Sequence, residues 1–366
     1  MRHLLSVGLP VLGALMALPG LVLVAPFIFM RRMVDKVAEH VEGDVLDEHA
    51  IVRFDPELGW SPRPNLDHRY HDRADVSYIR TCAEGLPGRA SMAGADVIAV
   101  SDSFGFGYGV RKGRSFTELT RGFRMKALAC PAYDLVQEAL LIHRFRDELE
   151  DKLVLWFVYP ENDIVQSLRP HYRGRRKPMI RSVEQEPGWR IDTEHVSEKV
   201  WIDTESPKRP RGFVDLCTDN PFATRALSAT GFVIETVQAT LSEVRGCGLV
   251  ILSIPYALQL SSAGHRQLES LEGAPSNLDP ARVDQQLGGM CRDLGLPFVP
   301  LSEHLRADDY RRFDRYHWNE RGHRKVASVV DGLYRKWKSG DLIPKLQSTT
   351  SPPAVHGYRS ATTPSA

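Results

Sequence analysis

The sequence predicts an α/β fold in which a parallel sheet is covered by helices on both faces. Short apolar runs rich in β-branched residues occupy positions 96–100, 127–130, 153–159, 249–254 and 297–301. Segments with helical periodicity follow at 115–126, 135–150, 223–245, 279–294 and 321–338. Near-continuous apolar strands that alternate with helices are typical of a parallel sheet buried between two helical layers. Because ligands bind beyond the carboxyl ends of such strands, we look for chemistry at that edge.

Composition is that of an ordinary globular protein with one large core. The chain has 366 residues, of which 42% are hydrophobic and 25% are charged, and its net charge is +1. One α/β domain with appendages fits this length. Because the charge is nearly balanced, no overall field would recruit nucleic acid, and none is expected as a partner.

The amino terminus predicts a membrane anchor at residues 1–32. Residues 4–30 contain no ionisable side chain, and this run exceeds the roughly 20 residues that cross a bilayer as a helix. A cleaved signal peptide is the alternative, because Arg2 and His3 precede the run. The run is longer than a typical signal core, however, and Arg31 and Arg32 close it. Basic residues near both ends leave the orientation open.

Three further segments complete the predicted organisation. Residues 33–55 are charged and partly helical in period, as in a juxtamembrane stalk, and turn formers around Trp60 suggest an entry loop. The folded domain is predicted at 56–340, with its catalytic core beginning near Ala93. A charged insertion at 169–212 is either solvated or forms a rim for an anionic substrate. Residues 347–366 lack apolar periodicity and are predicted to be disordered.

Ser103 is the first candidate for chemistry. It follows the apolar run at 96–100 and opens a turn punctuated by Gly105, Gly107 and Gly109. A serine at the carboxyl end of a buried strand presents its hydroxyl to a substrate. A turn or cap serine is the alternative interpretation. The glycine spacing is not the GxGxxG of dinucleotide-binding proteins.

Asp314 and His317 form the second candidate, just before the last predicted helix. An aspartate three residues before a histidine can accept from Nδ1–H on a turn and stabilise the imidazolium, which leaves Nε2 for a serine. A helix-capping aspartate beside a surface histidine is the alternative.

Asn162 is the third candidate, because it follows the run at 153–159. Its side-chain amide could donate to a developing oxyanion without titrating. An Asn-Asp turn that closes the strand is the alternative. All three candidates fall where strands or the last connection reach one rim of one sheet, where a nucleophile, a base and oxyanion donors must meet.

The ordered motifs resemble those of the SGNH/GDSL hydrolases. The run DVIAVSDSFGFGYGV is similar to the first block of that family, Cys130-Pro131-Ala132-Tyr133 with Gln137 to the second, and Glu161-Asn162-Asp163-Ile164 to the third. Asp314 and His317, followed by WNERGH, match the final DxxH, and Leu252-Ser253-Ile254-Pro255 resembles a strand end of this group. The resemblance spans about residues 56–338 and implies a three-layer sandwich with a flavodoxin-like parallel sheet.

The resemblance also implies residue roles. Ser103 is expected to be the nucleophile, His317 the general base and then acid, and Asp314 the residue that orients His317. The oxyanion hole would consist of the Ser103 N–H, the Ala132 N–H and the Asn162 side chain. This chain departs from the family pattern in having Ser101 in the first block and Ala132 in the second, where glycine is usual. The Ala132 N–H can serve only if that residue adopts the required φ, and a positive φ would be costly.

A membrane-anchored serine esterase or O-acyltransferase is therefore the expected function, acting on acyl groups, most simply acetyl, of an envelope carbohydrate or another small ester. The resemblance extends to anchored bacterial proteins similar to alginate O-acetyltransferases, which places the catalytic domain in the periplasm or outside the cell. No cofactor and no metal are expected, because the histidines lack HExxH or other ligand spacing. The alternative is a non-catalytic component that uses the fold for glycan binding or assembly of an envelope complex.

Overall fold

A computed structural model describes residues 45–46, 51–72, 75–88, 90–172, 174–183, 188–198, 212–271, 277–312 and 316–342. The chain divides into two compact units, Met1–Val45 and Leu46–Ala366. All that follows concerns the second unit. The predicted anchor at 1–32 and the predicted tail at 347–366 lie outside the described residues. Within the described part, no helix combines the length and the apolar character that a membrane span requires.

The strands are, in chain order, β1 (Val45–Leu46), β2 (Val52–Asp55), β3 (Gly59–Pro62), β4 (Asp67–Asp72), β5 (Asp75–Arg80), β6 (Val97–Ser101), β7 (Met125–Ala129), β8 (Leu153–Val158), β9 (His171–Tyr172), β10 (Arg175–Arg176), β11 (Met179–Ser182), β12 (Trp189–Asp192), β13 (Gly248–Ser253) and β14 (Phe298–Pro300).

The α-helices are α1 (Ser103–Phe106), α2 (Phe116–Leu119), α3 (Leu135–Arg144), α4 (Asp163–Gln166), α5 (Phe213–Leu216), α6 (Pro221–Ser242), α7 (Ser262–Glu269), α8 (Arg282–Asp293) and α9 (Glu320–Ser339). Short 3₁₀ helices occupy Arg146–Glu148, Ala257–Leu260, Leu301–Glu303 and Ala307–Asp309.

The centre of the fold is a five-stranded parallel sheet in the order β14-β13-β8-β6-β7. The five predicted apolar runs are these five strands, so the prediction of an α/β fold with a parallel sheet is confirmed. Every residue of β6, β8 and β13 is buried, which explains why their sequences are continuously apolar. Within this sheet the chain begins at β6, adds β7 on one side and then β8, β13 and β14 in turn on the other, which is the flavodoxin-like strand order.

The helices form two groups, and the helices of each group pack against one another. Helices α2 and α9 pack together, and α6 packs against both α3 and α8. Because parallel strands are joined by right-handed crossovers, the reversal of direction after β7 places the two groups on opposite faces of the sheet. The helix predicted at 115–126 is the exception among five, since α2 ends at Leu119. The chain then extends at Thr120 and passes through a left-handed Gly122 into β7.

The folded domain begins earlier than the sequence indicated. Ile51 and Val52, which were assigned to a stalk at 33–55, are buried in the core. Strands β2 and β3 form an antiparallel hairpin. Trp60, predicted to lie in an entry loop, is only 2% exposed. Val52 and Asp55 at the ends of β2 are buried, while Arg53 and Phe54 between them are exposed, so charged residues in this segment are compatible with a packed strand.

The insertion at 169–212 is structured over its described part. It contains two hairpins, β9 with β10 and β11 with β12. Its basic residues do not all face solvent: Lys177 is fully buried and ion-paired with Asp134, and Arg181 pairs with Asp192. Two basic residues of the insertion, which was predicted to be solvated or to form a rim for an anionic substrate, are thus paired with carboxylates of the same domain.

Candidate active site

The candidate site lies at the carboxyl end of β6, between β7 and β8. Connections leave the adjacent strands β6 and β8 in opposite directions, toward β7 and β13, so a crevice forms where the strand order reverses. Ser103, Ala132 and Asn162 follow the carboxyl ends of these three adjacent strands. The predicted convergence at one rim of the sheet is therefore what the topology produces.

Ser103 is the first residue of α1 and is 8% exposed. Asp102 caps this helix, because its Oδ1 accepts from the Phe104 N–H at 3.1 Å. Ser101, which stands where the resembling family has glycine, uses its hydroxyl to accept from the Gly105 N–H at 3.3 Å. A side chain at Gly105 would place its Cβ 2.8 Å from the Ser101 Cβ. Close packing at Gly105 thus fixes α1, which begins with Ser103, against β6.

His317 meets Ser103 across 214 residues of chain, with 2.8 Å between its Nε2 and the Ser103 Oγ. Its ring lies 5.3 Å from that of Phe104 and 4.8 Å from that of Tyr108. The backbone is held by a 2.9 Å bond from the Arg311 N–H to the His317 carbonyl. Trp318, fully buried, packs on Phe104 with ring centroids 4.6 Å apart. Asp314 lies outside the described residues.

Ala132 has a positive φ of 62°, the left-handed conformation in which glycine is favoured. Ala132 therefore adopts the positive φ that the sequence analysis identified as costly for alanine. Within the described part of the chain, neither the Ser103 amide nor the Ala132 amide donates to another protein group. Both are consequently available to an acceptor that enters the crevice.

Asn162 directs its side-chain amide toward the same region. Its Nδ2 donates to the Tyr133 carbonyl at 2.8 Å and to Asp102 Oδ2 at 3.3 Å. The adjacent Asp163 accepts from the Tyr159 N–H at 2.6 Å and thereby closes the turn after β8. The predicted Asn-Asp turn and the predicted amide donor are thus both present, on neighbouring residues.

Buried carboxyls lie behind the site. Burial raises the pKa of Asp102, although its bond from the Phe104 N–H and the nearby His317 act in the opposite direction. Burial, followed by the charge of Asp102, raises the pKa of Glu138 well above its usual value. Burial and then Glu138 raise the pKa of Asp163. Glu138 and Asp163 each have one oxygen without a hydrogen-bond partner among the described residues, so a negative charge on either carboxyl would be poorly compensated, in agreement with the raised pKa values.

His323 is a second histidine near the site and, unlike His317, it is fully buried. Its Nδ1 accepts from the Phe116 N–H at 3.1 Å, so the ring proton is on Nε2. Burial, and then the proximity of His317, lowers the pKa of His323 to about 3. This ring is therefore neutral at physiological pH. Within the described residues, no group of three or more His, Cys, Asp or Glu side chains is arranged to hold a metal ion.

Comparisons with known proteins add little. No family model and no curated protein matches the chain. Two solved structures are 13% identical to it, each covering 66% of this chain and 97% of its own, with a TM-score of 0.35. One of them is a structural-genomics target from Lactobacillus plantarum. A likeness of this size defines neither a family nor a function.

The structure thus brings together Ser103, His317, Ala132 and Asn162, and it also uses residues to which the sequence patterns assigned no role in the site. Asp102 caps the helix of the serine and accepts from Asn162. Beside Ala132, the Trp60 indole donates to the Pro131 carbonyl and the Tyr133 hydroxyl donates to the Trp60 carbonyl. The sequence signal for Tyr133 was its place beside Asp134-x-x-Gln137, which forms a capping box at the start of α3.

Proposed function

We propose that this chain is a serine esterase or O-acyltransferase in which Ser103, His317 and Asp314 act as a charge-relay triad. The observation that carries the proposal is the 2.8 Å contact between Ser103 Oγ and His317 Nε2. Hydrogen-bond reach between a nucleophile and its base is the first geometric requirement of such catalysis. The available amides of Ser103 and Ala132 at the same rim of the sheet add support.

The reaction would proceed in two transfers. Ser103 Oγ attacks the ester carbonyl while its proton passes to His317 Nε2, and the resulting imidazolium returns that proton to the departing alkoxide. An acyl group is then linked to Ser103. His317 next removes a proton from water or a sugar hydroxyl, which attacks the acyl carbonyl and releases Ser103 with its proton restored. Asp314 would stabilise the imidazolium in both steps.

Charge on the carbonyl oxygen would be stabilised by the Ser103 and Ala132 amides and by Asn162 Nδ2. Both hydrogens of Nδ2 already have acceptors, Tyr133 O at 2.8 Å and Asp102 Oδ2 at 3.3 Å. The longer bond is the weaker one. In the proposed reaction the oxyanion replaces Asp102 as the acceptor, while the Tyr133 carbonyl keeps the amide oriented.

The finer fold and the location belong to the same proposal. The strand order and the two helical groups are consistent with the three-layer SGNH sandwich that the sequence motifs resemble. Residues 4–30 would anchor the protein in a membrane as a single span, with the catalytic domain in the periplasm or outside the cell. An acylated, most simply acetylated, envelope carbohydrate is the proposed substrate. A reporter fused after residue 45 that behaves as cytoplasmic would contradict this location.

The direct test is covalent labelling of Ser103 with a fluorophosphonate together with turnover of 4-nitrophenyl acetate. Ser103→Ala and His317→Ala should each abolish labelling and lower turnover at least about 1000-fold. Ser242→Ala is the matched control, because that hydroxyl only donates to the Ala239 carbonyl at the end of α6. Unchanged turnover in Ser103→Ala would sink the proposal. Addition of an acetyl-free polysaccharide distinguishes transfer, which yields an acetylated glycan, from hydrolysis, which yields only acetate.

A non-catalytic, glycan-binding role is the second candidate. It is favoured by Ala132 in a conformation that glycine adopts more easily, and by an Asn162 amide whose hydrogens already have acceptors. This candidate predicts that Ser103 is not labelled while the protein binds polysaccharide measurably. Labelling that disappears in His317→Ala would exclude it.

A further inference from the structure

The conformation of Ala132 requires a cause. Alanine in the left-handed region is disfavoured by contact between its Cβ and the following carbonyl oxygen. Ala132 nevertheless holds a φ of 62° on the loop of residues 130–134 that connects β7 to α3. Such a conformation persists only where the surroundings over-determine it.

Two hydrogen bonds with Trp60 fix the residues on either side of Ala132. The Trp60 indole N–H donates to the Pro131 carbonyl at 3.2 Å, and the Tyr133 hydroxyl donates to the Trp60 carbonyl at 2.7 Å. Both aromatic side chains are almost fully buried. Because these bonds hold the peptide group before Ala132 and the side chain after it to the same residue, rotation of the Ala132 φ would break at least one of them.

The far end of the loop is fixed as well. Asp134 caps α3 and forms an ion pair with Lys177, and both side chains are fully buried. Lys177 Nζ also donates to the Gln166 carbonyl at 2.8 Å. Gln137, one turn into α3, donates to the Leu58 carbonyl at 2.7 Å. Neither end of the loop can therefore shift without breaking a buried polar contact.

These contacts come from two hairpins outside the central sheet, β2–β3 and β9–β10 with the adjoining Lys177. The hairpins also pack on each other. The Trp60 ring lies 6.1 Å from that of Tyr172 and 6.0 Å from the Arg175 guanidinium. Gly59, with a φ of 83°, approaches the Arg176 carbonyl so closely that a Cβ there would collide with it.

We infer that these two hairpins act as a brace that forces Ala132 into the left-handed conformation and so presents its N–H to the crevice. Trp60 and Tyr133 are then positioning residues. The role of the Ala132 N–H as an oxyanion donor rests on the proposed function. The effect of the brace on the conformation of Ala132 does not. The brace replaces the freedom that a glycine would supply at this position.

The first test is a cycle of unfolding equilibria in urea. Ala132→Gly in the otherwise native chain should lower the unfolding equilibrium constant roughly 5- to 30-fold, because glycine relieves the conformational cost. In a Trp60→Phe, Tyr133→Phe background Ala132 can relax, and the same substitution should gain less than about 2-fold. Trp189→Phe is the matched control background, since it loses an indole bond of 3.1 Å to Ser228, away from this loop. There the full gain should remain.

Tyr133→Phe alone removes one hydroxyl and provides the same comparison if the double variant does not fold. An equal gain from Ala132→Gly in all backgrounds would show that the brace does not impose the conformation. The cycle needs no catalysis, so it decides the inference even if Ser103 proves unreactive.

The second readout is kinetic. The double variant should lose roughly 10-fold or more in kcat for 4-nitrophenyl acetate with KM little changed, because an oxyanion donor acts in the transition state. Adding Ala132→Gly should recover most of that loss, since glycine can adopt the left-handed conformation without the brace. A loss that Ala132→Gly does not repair would contradict the positioning role. If the native chain has no turnover while the unfolding cycle behaves as expected, the proposed function fails and the brace stands.

Discussion

Gly105→Ala is the substitution whose effect can be worked out most directly from the structure. An alanine Cβ at this position would lie 2.8 Å from the Ser101 Cβ and 3.1 Å from the Ala129 Cβ. Carbon atoms in contact prefer separations of about 3.5–4.0 Å. The four-residue helix α1, which begins with Ser103, would have to move by roughly 0.7–1.2 Å to restore that separation.

The expected cost follows from a comparison with Gly289→Ala in α8, where an added Cβ meets nothing within 4 Å. Removal of a helical glycine stabilises by about 1 kcal/mol when space is available. Overpacking of a close-packed site costs roughly 1–3 kcal/mol. The two alanine variants should therefore differ by roughly 1–3 kcal/mol in free energy of unfolding, with Gly289→Ala the more stable protein.

Activity should report the same movement. A shift of about 1 Å would lengthen the 2.8 Å contact between Ser103 and His317, and a misplacement of this size can lower turnover on the order of 100-fold. The measurements are urea unfolding and the rate of fluorophosphonate labelling. Ser101→Gly, which removes the nearer contact, should restore part of both in the Gly105→Ala protein. Equal stability of the two alanine variants, with labelling at the native rate, would refute the packing argument.

Three further results are expected. Asn162→Ala should lower kcat roughly 100- to 1000-fold with little change in KM, measured with 4-nitrophenyl acetate. Burial raises the pKa of Glu138, so its ionisation opposes folding once the pH rises above the pKa that Glu138 has in the unfolded chain. Glu138→Gln removes this charge and can still accept from the Trp156 indole. The variant should therefore raise the urea midpoint of unfolding at pH 8, and raise it less at pH 5. Burial lowers the pKa of His323 from 6.5 to about 3. Between those pH values His323 is protonated only in the unfolded chain, so the free energy of unfolding falls by roughly 1.4 kcal/mol for each pH unit of acidification. His323→Gln should flatten that dependence; the same slope in both proteins would contradict the assignment.

The five strands of the parallel sheet were predicted from the sequence to within two residues at each end, because four of them are buried along their whole length and are therefore continuously apolar. The helix predicted at 115–126 was too long, since its pattern did not reveal that Gly122 adopts a left-handed φ before β7. The hairpins at the amino terminus and in the insertion were missed for a different reason. Their short strands are rich in charge, and their apolar residues are buried only by contacts with distant parts of the chain.

The residues of the candidate site were also predictable only in part. Ser103, Ala132 and Asn162 could be placed at one edge of the sheet, because parallel strands end at one edge whatever their order. Lys177 could not be assigned, since a lysine in a basic run has the same local signature whether it is solvated or paired with a buried Asp134. In the structure Lys177 is buried and ion-paired with Asp134, and this pair stabilises the loop of residues 130–134.

By itself, the sequence determined the parallel sheet, the edge at which side chains converge and the identity of the residues there, because apolar periodicity and strand ends are local properties. Tertiary structure alone decided the 2.8 Å contact between Ser103 and His317, which spans 214 residues. It also decided the left-handed conformation of Ala132. Both depend on long-range packing: local preference disfavours alanine in that conformation, and contacts with distant residues such as Trp60 and Lys177 hold the loop that contains it.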